Sequence, residues 1–246
     1  MSKHNLKASS TAIALLVMAE VAAAQSVPLP RPRPVERAIP ANPEASPAPS
    51  ACRARLTSER AIAPSIGSID GPEECGGVDL VRLEAVILPN KGSRVEITPP
   101  AVLRCAMAEA IVDWVREDLT PLAELSFGSP PRSVQSYTGY NCRPRNNIPG
   151  EMTSEHGKGN ALDVGAIKLL NGKTIDLADR NLAPESRESL KRSACGRFST
   201  VLGPGSDPFH ENHVHLDLRE RRNGYRICQW DILTVPLPPP RPKPDL

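Results

Sequence analysis

Four of the chain's five histidines fall in two short stretches, and one of these stretches also carries a carboxylate. In Ser154-Glu-His-Gly-Lys-Gly-Asn-Ala-Leu-Asp163, His156 stands seven residues before Asp163, across a loop with Gly157 and Gly159. In His210-Glu-Asn-His-Val-His215, a His-x-His pair enters an alternating run that ends Leu216-Asp217-Leu218. Residues i and i+2 of a strand share a face, so His213 and His215 should point into one space. Imidazole and carboxylate are natural zinc ligands, and a catalytic zinc commonly keeps three protein ligands and one open position. His156, Asp163 and His215 would make that set, leaving His213 beside the metal without necessarily binding it. One carboxylate and two imidazoles leave the ion net positive, enough to lower the pKa of a bound water towards ~7 and to polarise an amide carbonyl.

A lone His-x6-Asp is more often a turn histidine and a locally bonded carboxylate. Here the His-x-His that follows on an apolar strand favours a metal. An interval of seven would place two side chains on opposite faces of a straight strand, and glycines allow the tight loop that unites them. For a general base, His213 comes first because it shares the face of His215. Glu211 has the same parity and stays open, as does His210, for which a structural loop histidine is the equal alternative. Asp217, also on that face, could accept a hydrogen bond from a ligand histidine and orient it. Ser154 would either hold the loop or touch substrate.

The elements that must position these groups can be read coarsely. Val78–Leu88 has the β-branched, partly alternating character of a strand. Pro99-Pro100 should open a helix over Ala101–Leu119, where Val102, Leu103, Ala106, Ala110, Ile111 and Trp114 fit one helical face. Ser133–Tyr140 and Asn160–Ile167 read as strands. Asn171-Gly172 between apolar runs is a hairpin turn that pairs Ile167–Leu170 with Thr174–Leu177. Pro184 to about Cys195 reads as a helix and Val214–Leu218 as a core strand.

Residues 1–24 have the form of a secretory signal: Lys3 and Lys7, the apolar Ala12–Ala19, and the small residues Ala22-Ala-Ala24. The apolar run is shorter than the ~20 residues needed to span a bilayer, so no stable membrane span should remain after cleavage. Residues 25–50 are a Pro-rich, locally basic linker, and 234–246 form a similar tail. The folded domain should occupy 51–233. Its six cysteines contain no Cys-x-x-Cys, and behind an export signal an even number reads as three disulfides in an oxidising compartment, periplasm or cell envelope. Pairing sequence neighbours gives Cys52–Cys75, Cys105–Cys142 and Cys195–Cys228. A net charge of +2, with no basic run interleaved with aromatics, gives no reason to expect nucleic acid. Oligomeric state cannot be read.

Tyr140-Asn-Cys-Arg143, the Ser154–Asp163 motif, Cys195-Gly-Arg-Phe198, Val201-Leu-Gly-Pro204, His213–Leu218 and Cys228 occur in one order. Over Cys52 to Trp230 this pattern resembles the bacterial extensin-like C-terminal domain. The paired histidine motifs are also similar to those of zinc metallopeptidases that include D-Ala-D-Ala carboxypeptidases, lysostaphin-type endopeptidases and penicillin-insensitive murein endopeptidases. D-Ala-D-Ala dipeptidases usually carry a Glu three residues before the last ligand, where this chain has Asn212. The match is instead to a murein endopeptidase His-x-x-His-x-His, here His210, His213 and His215. Related peptidases use an arginine after a comparable strand to bind substrate, which implies that role for Arg143.

The fold expected is α+β: a small, mostly antiparallel sheet carrying a zinc site, flanked by helices and stapled by disulfides. The resemblance implies the fold of the lysostaphin, D-Ala-D-Ala peptidase and hedgehog group. It also implies an exported zinc peptidase acting on amide bonds of peptidoglycan cross-links or stem peptides. The alternative is a non-catalytic envelope module that binds wall peptides on the same zinc scaffold.

Overall fold

The computed structural model describes residues 50–89 and 93–231. The expected signal segment, the linker up to residue 49 and the Pro-rich tail lie outside them. Ser50, the last residue assigned to the linker, caps α1 (Ala51–Arg55), its hydroxyl accepting from Arg53 N–H.

The strands are β1 (Ala61–Ile62), β2 (Ser65–Asp70), β3 (Gly76–Ile87), β4 (Arg94–Arg104) and β5 (Pro131–Thr138). They continue as β6 (Ala161–Leu169), β7 (Thr174–Asp176), β8 (Thr200–Leu202), β9 (Val214–Asp217) and β10 (Ile227–Gln229). All ten join one sheet in the order β1-β3-β4-β5-β6-β9-β8-β10, with β2 on β3 and β7 on β6. The sheet is larger than expected, and it is mixed: β4–β5 and β8–β10 pair in parallel. The first parallel pair has a clear cause. A helical crossover separates its strands, and a parallel neighbour needs a connection of that kind. That crossover runs through α2 (Cys105–Asp113), a π-helical turn (Trp114–Leu119) and α3 (Thr120–Phe127).

The helix expected from Ala101 begins only at Cys105. Residues 101–104 complete β4, pairing Ala101 with Leu83 and Leu103 with Val81. Ala101 and Leu103 are buried while Val102 is not, so a period of two prevails where a period of 3.6 also fitted. Pro99 and Pro100 fall where the register shifts between the Ala85–Glu96 and Leu83–Ala101 pairs, an irregular stretch that tolerates a missing N–H. The Asn171-Gly172 hairpin forms as expected, with Ile167 opposite Ile175. The other strand expectations and α4 (Pro184–Arg197) hold to within a few residues.

The core lies on one face of the sheet. Leu162 and Val164 of β6, Val201 of β8, and Val214 and Leu216 of β9 all enter it. Trp114 and Phe198 meet edge to face at 6.0 Å within it, and Trp114 donates its indole N–H to Ser193 Oγ of α4 at 3.0 Å. Full burial of such side chains contributes about 1.5–3 kcal/mol each.

The six cysteines are all bridged, but only Cys195–Cys228 follows the neighbour rule. The other bonds are Cys52–Cys105 and Cys75–Cys142. α1 packs against α2, which brings Cys52 to Cys105, and Cys75, just before β3, meets the loop after β5 instead. Non-reducing peptide mapping should return these three pairs. A Cys75→Ser/Cys142→Ser double variant should lose about 2–4 kcal/mol, read as a lower urea midpoint. Recovery of a Cys52–Cys75 peptide would contradict the fold described.

Candidate functional site

The alternation that sends Val214 and Leu216 into the core turns His215 and Asp217 to the opposite face of β9. On β6, Leu162 and Val164 go inward and Asp163 comes out beside them. Asp163 and His215 are direct cross-strand partners, so sheet register alone sets them against each other.

His156 reaches the same point from a 3-10 turn, Glu155–Lys158. Ser154 caps this turn, its Oγ accepting from His156 N–H at 3.4 Å. The chain then passes through Gly159 in the left-handed region at φ +65°, where a Cβ would lie 2.8 Å from Leu80 Cδ2. Only glycine combines that φ with that approach. Gly157 in turn packs against Cys75 Sγ, so the Cys75–Cys142 bridge braces the turn.

The three expected ligands converge. His156 Nε2 lies 3.2 Å from Asp163 Oδ1 and 3.1 Å from His215 Nδ1, and His215 Nδ1 lies 3.0 Å from Asp163 Oδ1. All three residues are buried. The far nitrogen of each ring is already committed. His156 Nδ1 donates to the Gly139 carbonyl at 2.8 Å, and His215 Nε2 donates to Asp217 Oδ2 at 3.1 Å. A carbonyl can only accept, so neutral His156 presents a lone pair at Nε2. The ionised Asp217 fixes His215 in the complementary tautomer, with its lone pair at Nδ1.

Three acceptors at this distance call for a positive charge between them. Burial opposes protonation of His215, but hydrogen bonds to Asp163 and Asp217 outweigh it and push its pKa up to about 9. The proton on Nδ1 then faces both Asp163 and His156. Burial likewise opposes ionisation of Asp163, yet the two histidines hold its carboxyl well below the usual carboxylate range. A divalent cation could take the place of that proton, since metal binding to such a set releases protons. The donor set of two imidazoles and one carboxylate fits zinc.

Asp217 has the orienting position anticipated for it. Burial works against its charge, but the bond from His215 and that from Thr200 Oγ, at 2.5 Å, lower its pKa. Thr200 Oγ in turn accepts from Arg221 Nη2 at 2.7 Å.

Two further histidines stand at the edge of the cluster. His213 Nε2 lies 3.5 Å from Asp163 Oδ1, while its Nδ1 donates to Asn212 Oδ1 at 2.7 Å. It precedes β9 rather than lying on it, yet it faces the site as the His-x-His parity required. His210 Nδ1 is bonded to Asp207 Oδ1 at 2.7 Å, and its ring is 5.3 Å from that of His213. Burial lowers the pKa of both, only partly offset by Asp163 for His213 and Asp207 for His210, so both favour the neutral form. Glu211 is not brought to the cluster. Its carboxylate accepts from Gly205 N–H and faces Arg180.

The cluster sits on the floor of a groove of about 780 Å³, which Arg143 and Ser154 also line. Among the lining residues that were not legible as site residues are Arg145, Asp207, Arg219 and Arg221. Asp207, three residues before His210, had a spacing that could have suggested it. The arginines had no such signal.

The family model described as extensin-like protein C-terminus matches residues 50–229. No curated protein and no solved structure matches the chain.

The buried Thr200 hydroxyl links Arg221 to Asp217, so Thr200→Val keeps the shape and removes both bonds. It should destabilise the protein by about 1–3 kcal/mol in urea unfolding, the cost of leaving a buried charged acceptor short of a partner. An unchanged midpoint would show that the link carries no weight.

Proposed function

The chain belongs to the extensin-like protein C-terminus family, and from that footing we propose that it is an exported, zinc-dependent peptidase that hydrolyses amide bonds in peptidoglycan cross-links or stem peptides. The observation that carries this reading is the convergence of His156 Nε2, Asp163 Oδ1 and His215 Nδ1 within 3.2 Å, each ring aimed by an oxygen on its far side. These three residues would hold the zinc. When bound, it would supply a Lewis acid and bring the pKa of a water towards ~7.

The remaining residues divide the work around that centre. Gly139 C=O and Asp217 keep the two imidazoles in one tautomer and orientation. His213, neutral and with Nε2 facing Asp163, would take the proton from the attacking water and pass it to the leaving amine. His210, held by Asp207, stands behind it as the second candidate for that step. Arg143 offers a planar pair of donors for a carboxylate of the peptide. Three disulfides are consistent with export to an oxidising compartment, and among the described residues no helix is long and apolar enough to cross a membrane.

The test is incubation of the purified protein with muropeptides, with and without chelator, followed by mass analysis. Cleavage should require zinc. Cleavage that survives metal removal would sink the reading, and a protein that binds zinc and muropeptides yet never cuts would be the envelope-binding module instead.

His213→Ala should cut turnover about 10²–10⁴-fold with zinc content unchanged, whereas His215→Ala should lose both. Wild-type turnover in both variants would refute the assigned roles. Asp217→Asn should weaken zinc binding about 10–100-fold in competition with a chromophoric chelator, because it removes the carboxylate that orients His215.

A further inference from the structure

Six arginines among the described residues have carboxylate partners: Arg55, Arg60, Arg82, Arg94, Arg180 and Arg197. The arginines of the groove do not. Arg219 and Arg221 line the groove, and neither makes an ion pair within 4.0 Å among the described residues. The acids that line the same groove are committed elsewhere. Glu155 is held by Asn160 and Lys158, Asp207 by His210, and Asp163 and Asp217 by the cluster. Glu74, the acid whose charge Arg219 reaches, is bonded first to Lys158 at 2.8 Å. A concave surface with unpaired guanidinium groups and spoken-for carboxylates attracts an anion.

Topology places this charge on a defined side. Arg143 lies on the loop that leaves β5, along one edge of β6, while Arg219 and Arg221 follow β9, along the other. A peptide laid across the cluster would therefore meet guanidinium groups on both sides of its scissile bond. Arg221 is also held in place beforehand, donating to Thr200 Oγ at 2.7 Å and to Ser199 C=O at 3.3 Å. Little further ordering is needed when it binds a ligand.

We infer that Arg219 and Arg221 form a carboxylate subsite, on the far side of the His–Asp–His cluster from Arg143, so that the groove selects peptides carrying free carboxylates on both sides of the amide to be cut. This rests on the peptidase reading for the identity of the ligand. The guanidinium fork matches a carboxylate with two parallel bonds, and replacing the carboxylate by an amide removes both the charge and one acceptor.

The experiment uses the full secreted chain and a disaccharide tetrapeptide labelled with fluorescein on the sugar, with its carboxylates either free or converted to amides. Anisotropy reports binding, and mass analysis of the same samples reports cleavage. The free form should bind about tenfold to a hundredfold more tightly than the amidated form. Arg219→Gln/Arg221→Gln should weaken binding of the free form about tenfold, leaving only the preference that Arg143 supplies, and leave the amidated form unchanged. Lys168→Gln/Lys173→Gln, an equal loss of charge at two exposed positions outside the groove, should behave as wild type. If the double variant fails to fold, Arg219→Gln alone carries the test, because that side chain makes no hydrogen bond among the described residues. Equal binding of the two peptides, no binding of either, or full-strength binding by the variant would overturn the subsite. Charge-dependent binding with an intact recovered peptide would remove the peptidase reading and leave the subsite standing.

Discussion

Two ring nitrogens and a carboxylate oxygen, all acceptors and all buried, lie within 3.2 Å of one another, and each ring is oriented by a hydrogen bond made on its far side. Such a set does not assemble spontaneously. Buried acceptors repel each other, and each would rather face water. Sheet register supplies one contact, because Asp163 and His215 are cross-strand partners. The Ser154-capped turn supplies the other two by bringing His156 over the pair. Once the three atoms are held there, a positive charge is needed between them. A proton shared from His215 meets that need in the protein alone, and under the proposed function a divalent cation would take its place.

The rest of the fold reads as support for this constraint. The period-two pattern of β6, β8 and β9 anchors Leu162, Val164, Val201, Val214 and Leu216 in the core and so fixes the outward face. A slip of one residue would exchange the two faces and place the histidines inside, which the apolar core forbids. The Cys75–Cys142 bridge lies against Gly157, so the turn bearing His156 is braced covalently from behind. Packing and cross-links thus offset the electrostatic cost of the cluster.

What could be read in advance follows from range. His156, Asp163 and His215 were legible because residue type, spacing and strand parity are local properties, and Asp217 followed from the same parity. The Asn171-Gly172 hairpin was legible for a similar reason. Parity misled at Glu211, since His210 to His213 precede β9 and a loop does not keep a period of two. The segment 101–104 fitted both periods, and only pairing with β3 decided it. Cysteine pairing depends on which elements meet in space. Arg219 and Arg221 are recognised only from the fold, which sets them in the groove with no ion pair among the described residues.

The surroundings of His213 and His215 differ in a way that fits the two roles proposed for them. Both rings face Asp163, but their far sides differ. His215 is backed by the ionised Asp217, which makes its Nδ1 a better donor of electron density to a cation. His213 is backed by the neutral amide of Asn212 and lies farther from Asp163, at 3.5 Å. Burial there favours the neutral ring, and no carboxylate behind it holds a second proton. A ring in that setting can accept a proton and release it again, whereas one backed by Asp217 would keep it. The backing through Asp217 then continues to Thr200 and Arg221. An anion drawing on Arg221 would thereby alter the hydrogen bond that Thr200 makes to Asp217, and through it the basicity of His215. Under the proposed function, substrate charge and cluster chemistry would be joined by that chain of bonds, through a threonine and an arginine that make no hydrogen bond to His156, Asp163 or His215.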